Sequence, residues 1–555
     1  MSNNKLQYRV GFLGCPPCPE VAWSRENFSR LKDLGFNTVQ LNIAWGYRPG
    51  GEPLNLEDVI DVPEHLQGRA AMLGDQSPER RAQRLTDLHD RAGLAKEFGF
   101  RSIFHFGAPY VGDTNIGDAP PNCLLDGSTP ERCAYLLEEF ARQFPEIDDL
   151  LVYTYDQHAW LCSEFGPCPR CTGIPLAERV VPFLESMKAL WLKSHAGGRL
   201  WWEPWELSAG QVQRCVSAIN PEGFGLALHC NIAEVITTLP TDRWVRNTTF
   251  LAGERGIPVI IEYFLGGPSE EVEPYLHLAH PLTTFRGLKQ IAQVPHIAGI
   301  KEYFGLMPDR EDPNLRMTGL FFNQPDIGEE AALDKLAEPY GGAAAAMKRF
   351  WRLTSEAMEL FPWDTSWLIR EIGKSDPVHS LSAAFIRGVP WHTPSWMSTR
   401  RAIFMKVDAA EPDPWMLEDV QLRCELAAER MAQALALGRE TANTISDDEL
   451  ARHFAKNLEE LSEMRRRTLA YGFHARETNL ATALRECRNQ GREIPPRILS
   501  ELMDTLVADQ ANQQQPEPIA TALNLLKTDL EAFLQTYFTV VPDACSKGPF
   551  SLTSR

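Results

Sequence analysis

The first 305 residues alternate short apolar runs with amphipathic segments, and the alternation occurs eight times. The apolar runs have the length and composition of buried strands, whereas the segments between them repeat apolar residues at helical spacing. Eight strand–helix units favour a parallel sheet that closes as a (β/α)8 TIM barrel, with a doubly wound sheet as the main alternative. The predicted strands are Tyr8–Gly14, Thr38–Ala44, Arg101–Gly107, Leu150–Asp156, Arg199–Glu203, Phe224–His229, Pro258–Phe264 and Ile297–Phe304.

Capping residues support the predicted helices. Ser24 and Ser77 have the side chains of N-cap residues, and a proline follows Ser77 at the first helical position. Gly35 and Gly99 stand where a helix must end before the next strand. The predicted helices of this region are Ser24–Leu34, Pro78–Phe98, Pro130–Gln143, Leu176–His195, Asp242–Gly256 and Pro281–Ala292.

After Phe304 the pattern becomes almost entirely helical. Strand-like runs are limited to Gly319–Phe322 and Ala402–Lys406. We therefore predict an α/β barrel over residues 1–305, a helical connection packed on it over 306–412, and an all-helical C-terminal domain over 413–555. The predicted helices are Glu329–Leu336, Gly342–Leu360, Pro414–Leu437, Asp447–Tyr471, Ala475–Asn489, Arg497–Ala508 and Ile519–Tyr537.

Composition narrows the class of protein. A hydrophobic share of 44% and a charged share of 23% exclude a disordered or fibrous chain. A formal net charge of −19 argues against a nucleic-acid partner, because phosphates require the opposite charge. The sequence contains neither an apolar secretory segment at its start nor a run of about 18 apolar residues, so we expect a cytoplasmic protein with no membrane partner. Homo-oligomerisation is left open.

Carboxylates end four of the eight predicted strands, where a barrel presents its catalytic groups. They are Asp156, Glu203, Glu262 and Glu302. Glu302 follows Lys301, so a salt-bridged position at the rim is the alternative for this residue. The side chains predicted to bind substrate are Asn42, Trp45, Arg48, His105, Tyr155, His158, Trp202, His229, Asn231, Tyr263, Glu302 and Tyr303.

Paired carboxylates among aromatic residues are suited to the cleavage of a glycosidic bond. One carboxylic acid protonates the leaving oxygen, while the other attacks the anomeric carbon or activates water. We rank Asp156 and Glu262 first, with Glu203 as a replacement for either; which is acid and which is nucleophile stays open. The substrate is predicted to be a carbohydrate, and no cofactor is required. Arg48 would suit an acidic sugar.

Two stretches resemble known glycoside hydrolases. The segment NFSRLKDLGFNTVQLNIAWGYRPG (27–50) is similar to the opening of many barrel glycoside hydrolases, and IEYF (261–264) resembles strand seven of the large retaining clan. That clan carries its acid on strand four and its nucleophile on strand seven, which implies these roles for Asp156 and Glu262. The clan has Asn-Glu on strand four, where this chain has Tyr155 and Asp156.

The segments FPWDTSWLIREIG (361–373) and PWHTPSWMSTRRAIFM (390–405) resemble the hexosaminidase and α-glucuronidase-type barrels, which carry helical appendages. In hexosaminidases strand four ends in Asp-Glu, where this chain has Asp156 and Gln157.

A cysteine cluster follows the fourth predicted strand. Cys162, Cys168 and Cys171 have the spacing of a structural zinc site, and reduced thiols that pack a long loop are the alternative. The segment resembles the cysteine-bound zinc loop of some barrel β-galactosidases. The residues that could supply a fourth ligand are His158, Cys123, Cys133 and Cys230.

Two other functions remain open. A divalent-metal-dependent sugar isomerase or lyase would use Glu203, His229, Glu262 and Glu302 as metal ligands. A non-catalytic carbohydrate-binding protein would use the same aromatic residues without turnover.

Overall fold

The computed structural model describes residues 6–15, 18, 21–42, 56–66, 77–106, 123–154, 164, 168–204, 207, 209–229, 243–268, 272, 275–362, 414–514 and 516–538. Eight parallel strands pair in chain order, and the eighth pairs with the first, so the sheet is a closed barrel as predicted. The strands are β1 (Tyr8–Gly11), β2 (Thr38–Gln40), β3 (Arg101–Phe106), β4 (Asp149–Tyr153), β5 (Arg199–Glu203), β6 (Phe224–His229), β7 (Val259–Tyr263) and β8 (Ile297–Glu302).

Helices surround the barrel and continue beyond it. Their bounds are α1 (Arg25–Asp33), α2 (Pro78–Phe98), α3 (Ser128–Gln143), α4 (Leu176–Ser194), α5 (Ala209–Ala218), α6 (Arg243–Glu254), α7 (Pro281–Ile291), α8 (Pro313–Asn323), α9 (Glu329–Ala337), α10 (Ala344–Leu360), α11 (Pro414–Ala442), α12 (Asp448–Asn489), α13 (Pro496–Asn512), α14 (Glu517–Thr528) and α15 (Leu530–Phe538). Ser24 and Ser77 cap α1 and α2, and Gly35 and Gly99 take the left-handed conformation that ends them.

Side chains alternate between the inside and the outside of the barrel, because successive strand residues point to opposite faces of a sheet. Ile103, Leu151, Trp201 and Ile260 belong to a small apolar cluster that fills the interior. Trp201 requires a glycine on the next strand, since a Cβ atom on Gly225 would lie 2.3 Å from the indole ring. The inward positions nearer the carboxyl ends of the strands are polar, and they form the candidate site.

The main apolar core extends from the barrel into α8–α12, and a second cluster begins with Ala481 near the end of α12. Helix α12 also contacts the segment between β7 and α7. The Glu460 carboxylate accepts hydrogen bonds from the backbone N–H groups of Leu276 (2.9 Å) and His277 (2.6 Å). Asn457 donates to the carbonyl of His277 at 2.6 Å. The helical region therefore holds the segment that follows β7.

The structure differs from the prediction at three points after the barrel. The predicted helices Asp447–Tyr471 and Ala475–Asn489 are one helix, α12, whereas Ile519–Tyr537 is divided into α14 and α15. The strand-like run Gly319–Phe322 lies within α8, which follows β8 and packs against α7. The other strand-like run, Ala402–Lys406, lies outside the described residues. The domain limits near 305 and 412 stay a prediction.

Within the described part of the chain, no helix is both long and apolar enough to span a lipid bilayer.

Candidate active site

Five polar side chains occupy the inward positions at or near the carboxyl ends of their strands. They are His105 on β3, Glu203 on β5, His229 on β6, Glu262 on β7 and Lys301 on β8. Strand register aligns three of them, because His229 pairs with Glu262 and Glu262 pairs with Lys301. The alternation of the barrel strands and their register thus bring together residues that are up to 196 positions apart, from His105 to Lys301.

His229 lies between the two carboxylates. Its Nε2 atom is 2.6 Å from Glu262 Oε2 and 3.3 Å from Glu203 Oε1. Both carboxylates are almost completely buried, with 1% of Glu203 and 2% of Glu262 exposed. Buried carboxylates are costly unless they are paired with cations or hydrogen-bond donors. The cationic form of His229 supplies such a partner to both of them.

Lys301 provides the second cation of the site. Its Nζ atom donates to Glu262 Oε1 at 2.5 Å, and the side chain is buried. Glu262 therefore has one cation at each oxygen, Lys301 at Oε1 and His229 at Oε2. Glu203 contacts His229 through Oε1, and its other oxygen, Oε2, lies 3.7 Å from His105 Nε2.

These contacts displace the pKa values of the two carboxyl groups in opposite directions. Burial, followed by the negative charge of Glu262, raises the pKa of Glu203. Burial alone would also raise the pKa of Glu262, but the charges of His229 and Lys301 outweigh it and hold that pKa well below its usual range. Two carboxyl groups with separated pKa values form an acid and base pair. At neutral pH Glu203 retains a proton more readily than Glu262 does.

The two histidines also differ. Burial lowers the pKa of His105 well below its usual value, so this imidazole is neutral. Burial opposes the charged form of His229 as well, but the adjacent Glu262 and Glu203 raise its pKa. Asn42 fixes the backbone at His105, because its amide donates to the His105 carbonyl at 2.8 Å and accepts from the His105 N–H at 2.7 Å.

The fourth carboxylate, Glu302, faces away from this group. It follows the inward-pointing Lys301 on β8, and its oxygens accept hydrogen bonds from the backbone N–H groups of Leu265, Phe304 and Gly305 at 2.7–3.0 Å. Burial raises its pKa to about 7 despite these three bonds. Glu302 therefore secures the turns after β7 and β8, and it forms no salt bridge with Lys301; its predicted contact with substrate stays a prediction.

The predicted aromatic residues divide between the two faces of the sheet. Trp202 and Tyr263 point outward, where the Trp202 indole donates to Thr154 at 2.8 Å and the Tyr263 hydroxyl donates to the Thr283 carbonyl on α7. Tyr303 lies at the site, with its ring edge-on to the His229 imidazole at a centroid distance of 4.7 Å.

Several predicted site residues lie outside the described residues. They are Trp45, Arg48, Tyr155, Asp156, His158, Asn231 and Cys162. Their assignments stay predictions.

Lys301 was not among the predicted site residues. Alternation along β8 means that only one of the neighbours Lys301 and Glu302 can face the barrel interior, but it does not select the lysine. Ala298 packs against the interior cluster, and the register between β7 and β8 then shifts, so that Gly299 and Lys301 pair with the inward residues Ile260 and Glu262. This irregularity leaves no pattern in the sequence.

Three cysteine sulfurs come together beside the barrel. Cys123 Sγ lies 3.7 Å from Cys168 Sγ and 3.4 Å from Cys171 Sγ. The cluster thus contains two of the three predicted ligands and one of the predicted candidates for the fourth position. Cys133 is instead buried in α3, where burial raises its thiol pKa to about 12.

Glu203, His229 and Glu262 also meet the distance requirement of a metal site. Each of them has one oxygen or nitrogen atom within 4.8 Å of such an atom of the other two. Lys301 already neutralises Glu262, however, and the fourth predicted ligand, Glu302, is bonded to backbone N–H groups. Of the four residues predicted as ligands of a metal-dependent enzyme, Glu302 therefore does not face the other three.

No protein-family model matches the chain. No curated protein sequence matches it either. Among solved structures, the chain is similar to a GH138 enzyme targeting pectin rhamnogalacturonan II, with a TM-score of 0.60, 11% sequence identity and 95% of this chain covered. The chain spans 63% of the length of that solved structure.

Further similar structures include a GH84 protein (TM-score 0.40, 9% identity, covering 94% of this chain and 77% of that one). Another is the catalytic domain of a β-amylase from Paenibacillus polymyxa (TM-score 0.34, 11% identity, covering 60% and 98%). The predicted resemblance to TIM-barrel glycoside hydrolases, followed by a helical region, is confirmed at the level of the fold.

Proposed function

We propose that the chain is a retaining glycoside hydrolase in which Glu203 is the acid and base and Glu262 is the nucleophile. The observation that carries the proposal is the opposite displacement of their two pKa values around the shared His229. Glycoside hydrolases use one protonated and one ionised carboxyl group at the scissile bond. The GH138 enzyme of similar fold targets a pectic polysaccharide, which supports a carbohydrate substrate.

The first step requires a proton from Glu203 and an electron pair from Glu262. As Glu203 protonates the glycosidic oxygen, the bond from that oxygen to the anomeric carbon breaks and a Glu262 oxygen bonds to the carbon. Lys301 and His229 keep Glu262 ionised and oriented before the attack.

In the second step Glu203 takes a proton from water, which attacks the anomeric carbon and releases Glu262. The site explains this change of role. The charge of Glu262 is one of the causes that raise the pKa of Glu203, and that charge disappears when Glu262 is bonded to the sugar. The pKa of Glu203 therefore falls when a base is needed.

The short distance between the two carboxylates supports the retaining mechanism. One oxygen of Glu203 and one of Glu262 lie within 4.8 Å of each other. Retaining enzymes hold their carboxyl groups about 5–5.5 Å apart, whereas inverting enzymes leave roughly 6.5–9.5 Å for a water molecule. Asp156 lies outside the described residues and stays the alternative acid.

A panel of neutral and uronic-acid aryl glycosides in both anomeric configurations tests the proposal. We expect turnover of at least one member, and proton NMR of the first product should show the anomeric configuration of the substrate. An inverted first product would contradict the nucleophilic role of Glu262. Ligand binding without turnover across the panel would favour a carbohydrate-binding protein.

We further propose that the sulfurs of Cys123, Cys168 and Cys171 hold a structural zinc ion. Tetrahedral zinc with bonds of about 2.3 Å requires sulfurs about 3.8 Å apart, close to the 3.4 and 3.7 Å separations observed. Arg170 lies beside Cys123 and places a positive charge at the cluster. Cys171 is completely buried, so the ion would brace the segment between β4 and α4.

Replacing Cys171 with serine is expected to remove one zinc equivalent per chain, measured by plasma mass spectrometry after dialysis. Cys215→Ser is the matched control, because Cys215 is equally buried but lies on α5, away from the cluster. Equal zinc contents in the two variants would contradict the zinc assignment.

A further inference from the structure

A second group of ionisable side chains lies in the helical region, within the described residues of α12 and α13. His474 and Glu477 are three positions apart on α12 and so share one face, and Asp509 faces them from α13. His474 Nε2 is 3.5 Å from Asp509 Oδ2, and one potential ligand atom of each residue lies within 4.8 Å of the others. Glu477 and Asp509 are completely buried, and His474 is 7% exposed.

Three of the four oxygens of these two carboxylates accept no hydrogen bond within the described part of the chain. Neither oxygen of Glu477 has a hydrogen-bond partner among the described residues, and neither does Asp509 Oδ2. No lysine or arginine in the described part of the chain forms an ion pair with either group. Burial, followed by the charge of Asp509, raises the pKa of Glu477 well above its usual value. Two adjacent buried carboxylates require either a retained proton or a cation between them.

We propose that His474, Glu477 and Asp509 bind a divalent transition-metal ion of the zinc class. An imidazole nitrogen with two carboxylate oxygens is a donor set that suits Zn²⁺, whereas Ca²⁺ and Mg²⁺ prefer oxygen donors alone. Tetrahedral zinc with bonds of about 2.0–2.1 Å places its ligand atoms about 3.4 Å apart, which matches the 3.5 Å between His474 Nε2 and Asp509 Oδ2.

Contacts around the site support this assignment. Gln513 donates to Asp509 Oδ1 at 2.7 Å and leaves Oδ2 directed at His474. Arg466 donates in turn to the Gln513 side chain at 3.4 Å. Hydrogen bonds of this kind orient metal ligands in proteins. The ion would join α12 to α13 at the point where the main apolar core gives way to the second cluster, so its role is structural.

The test uses the full chain, treated with a chelator and then reloaded with Zn²⁺ alone. We expect Glu477→Gln and Asp509→Asn each to lose one zinc equivalent relative to the control Glu486→Gln, which changes an exposed glutamate on the same helix. With Cys171→Ser added to both proteins to remove the cysteine-bound ion, the chelator should lower the melting temperature of the control and leave that of Glu477→Gln unchanged. Circular dichroism verifies that the variants are folded.

A second measurement separates this ion from any metal at the cysteine cluster or at the barrel mouth. In the double variant Cys171→Ser/Glu262→Gln, zinc should persist, and X-ray absorption should show only nitrogen and oxygen ligands. Absence of zinc from this double variant would overturn the proposal even if Glu477→Gln failed to fold. The zinc contents of Glu477→Gln and of the control could also be equal, with a higher melting temperature for Glu477→Gln than for the control. That result would contradict the metal site and indicate that the two carboxylates share a proton.

Discussion

Glu262→Gln is expected to lower kcat/KM for any glycoside that the protein hydrolyses by on the order of 10⁴-fold or more, because the amide cannot act as a nucleophile. The substitution also leaves Lys301 and His229 without the carboxylate that both contact. Removing one partner of a buried ion pair costs about 3–5 kcal/mol, so a lower melting temperature should accompany the loss of activity. Steady-state kinetics and thermal unfolding measure the two effects.

A rescue experiment distinguishes lost chemistry from a lost fold. In Glu262→Ala, azide can occupy the space of the carboxylate and attack the anomeric carbon as the leaving group departs. We expect a glycosyl azide of inverted configuration, detected by NMR, with a rate that rises with azide concentration. A Glu262→Gln variant within tenfold of the parent protein would eliminate Glu262 as the nucleophile.

Glu203→Gln is expected to slow the cleavage of substrates with poor leaving groups by about 10²–10⁴-fold, the range for loss of a general acid. Substrates with activated leaving groups, such as dinitrophenyl glycosides, need no proton, so formation of their glycosyl-enzyme should be nearly unaffected. The leaving-group dependence of the rate constant is the measurement. Glu222→Gln, which changes an exposed residue before β6, is the control.

The pH profile gives an independent test of Glu203. Its pKa is raised, and the acid role requires the protonated form, so kcat/KM should fall as pH rises through that raised value. The low pKa of Glu262 places the opposite limb at the acidic end, because the nucleophile must be ionised. Glu203→Gln should abolish the alkaline limb and preserve the acidic one. An alkaline limb that persists in this variant would assign the acid to another residue, with Asp156 the first candidate.

The strands were predictable because each is a short apolar run, and β5 and β6 match their predicted bounds fully. The prediction of secondary structure was wrong where tertiary packing, and not the local pattern of apolar residues, determines the element. The sequence pattern predicts a break in α12 after Tyr471, next to Gly472. In the structure this glycine lies within a continuous helix and permits close contact with α11, since an added Cβ atom would lie 3.0 Å from the Cβ atom of Cys424. Helix α8 buries most of its surface, so no helical period distinguishes it from a strand.

The site was partly predictable for a related reason. Position at a strand end selected Glu203, His229 and Glu262, but position alone cannot say which face of the sheet a side chain occupies. Glu302 and Lys301 illustrate the limit, because neighbouring positions on β8 differ between securing a turn and binding Glu262. The pKa differences within the pair depend on distances of a few ångströms, which no sequence pattern contains.

The hydrogen bonds of Glu460 and Asn457 to the segment after β7 have a consequence for the modularity of this protein. Helix α12 holds that segment and shares an apolar core with the barrel. The barrel is therefore not expected to fold correctly when it is transferred without the helices. Recombination between homologous chains should succeed only when barrel and helices are inherited together.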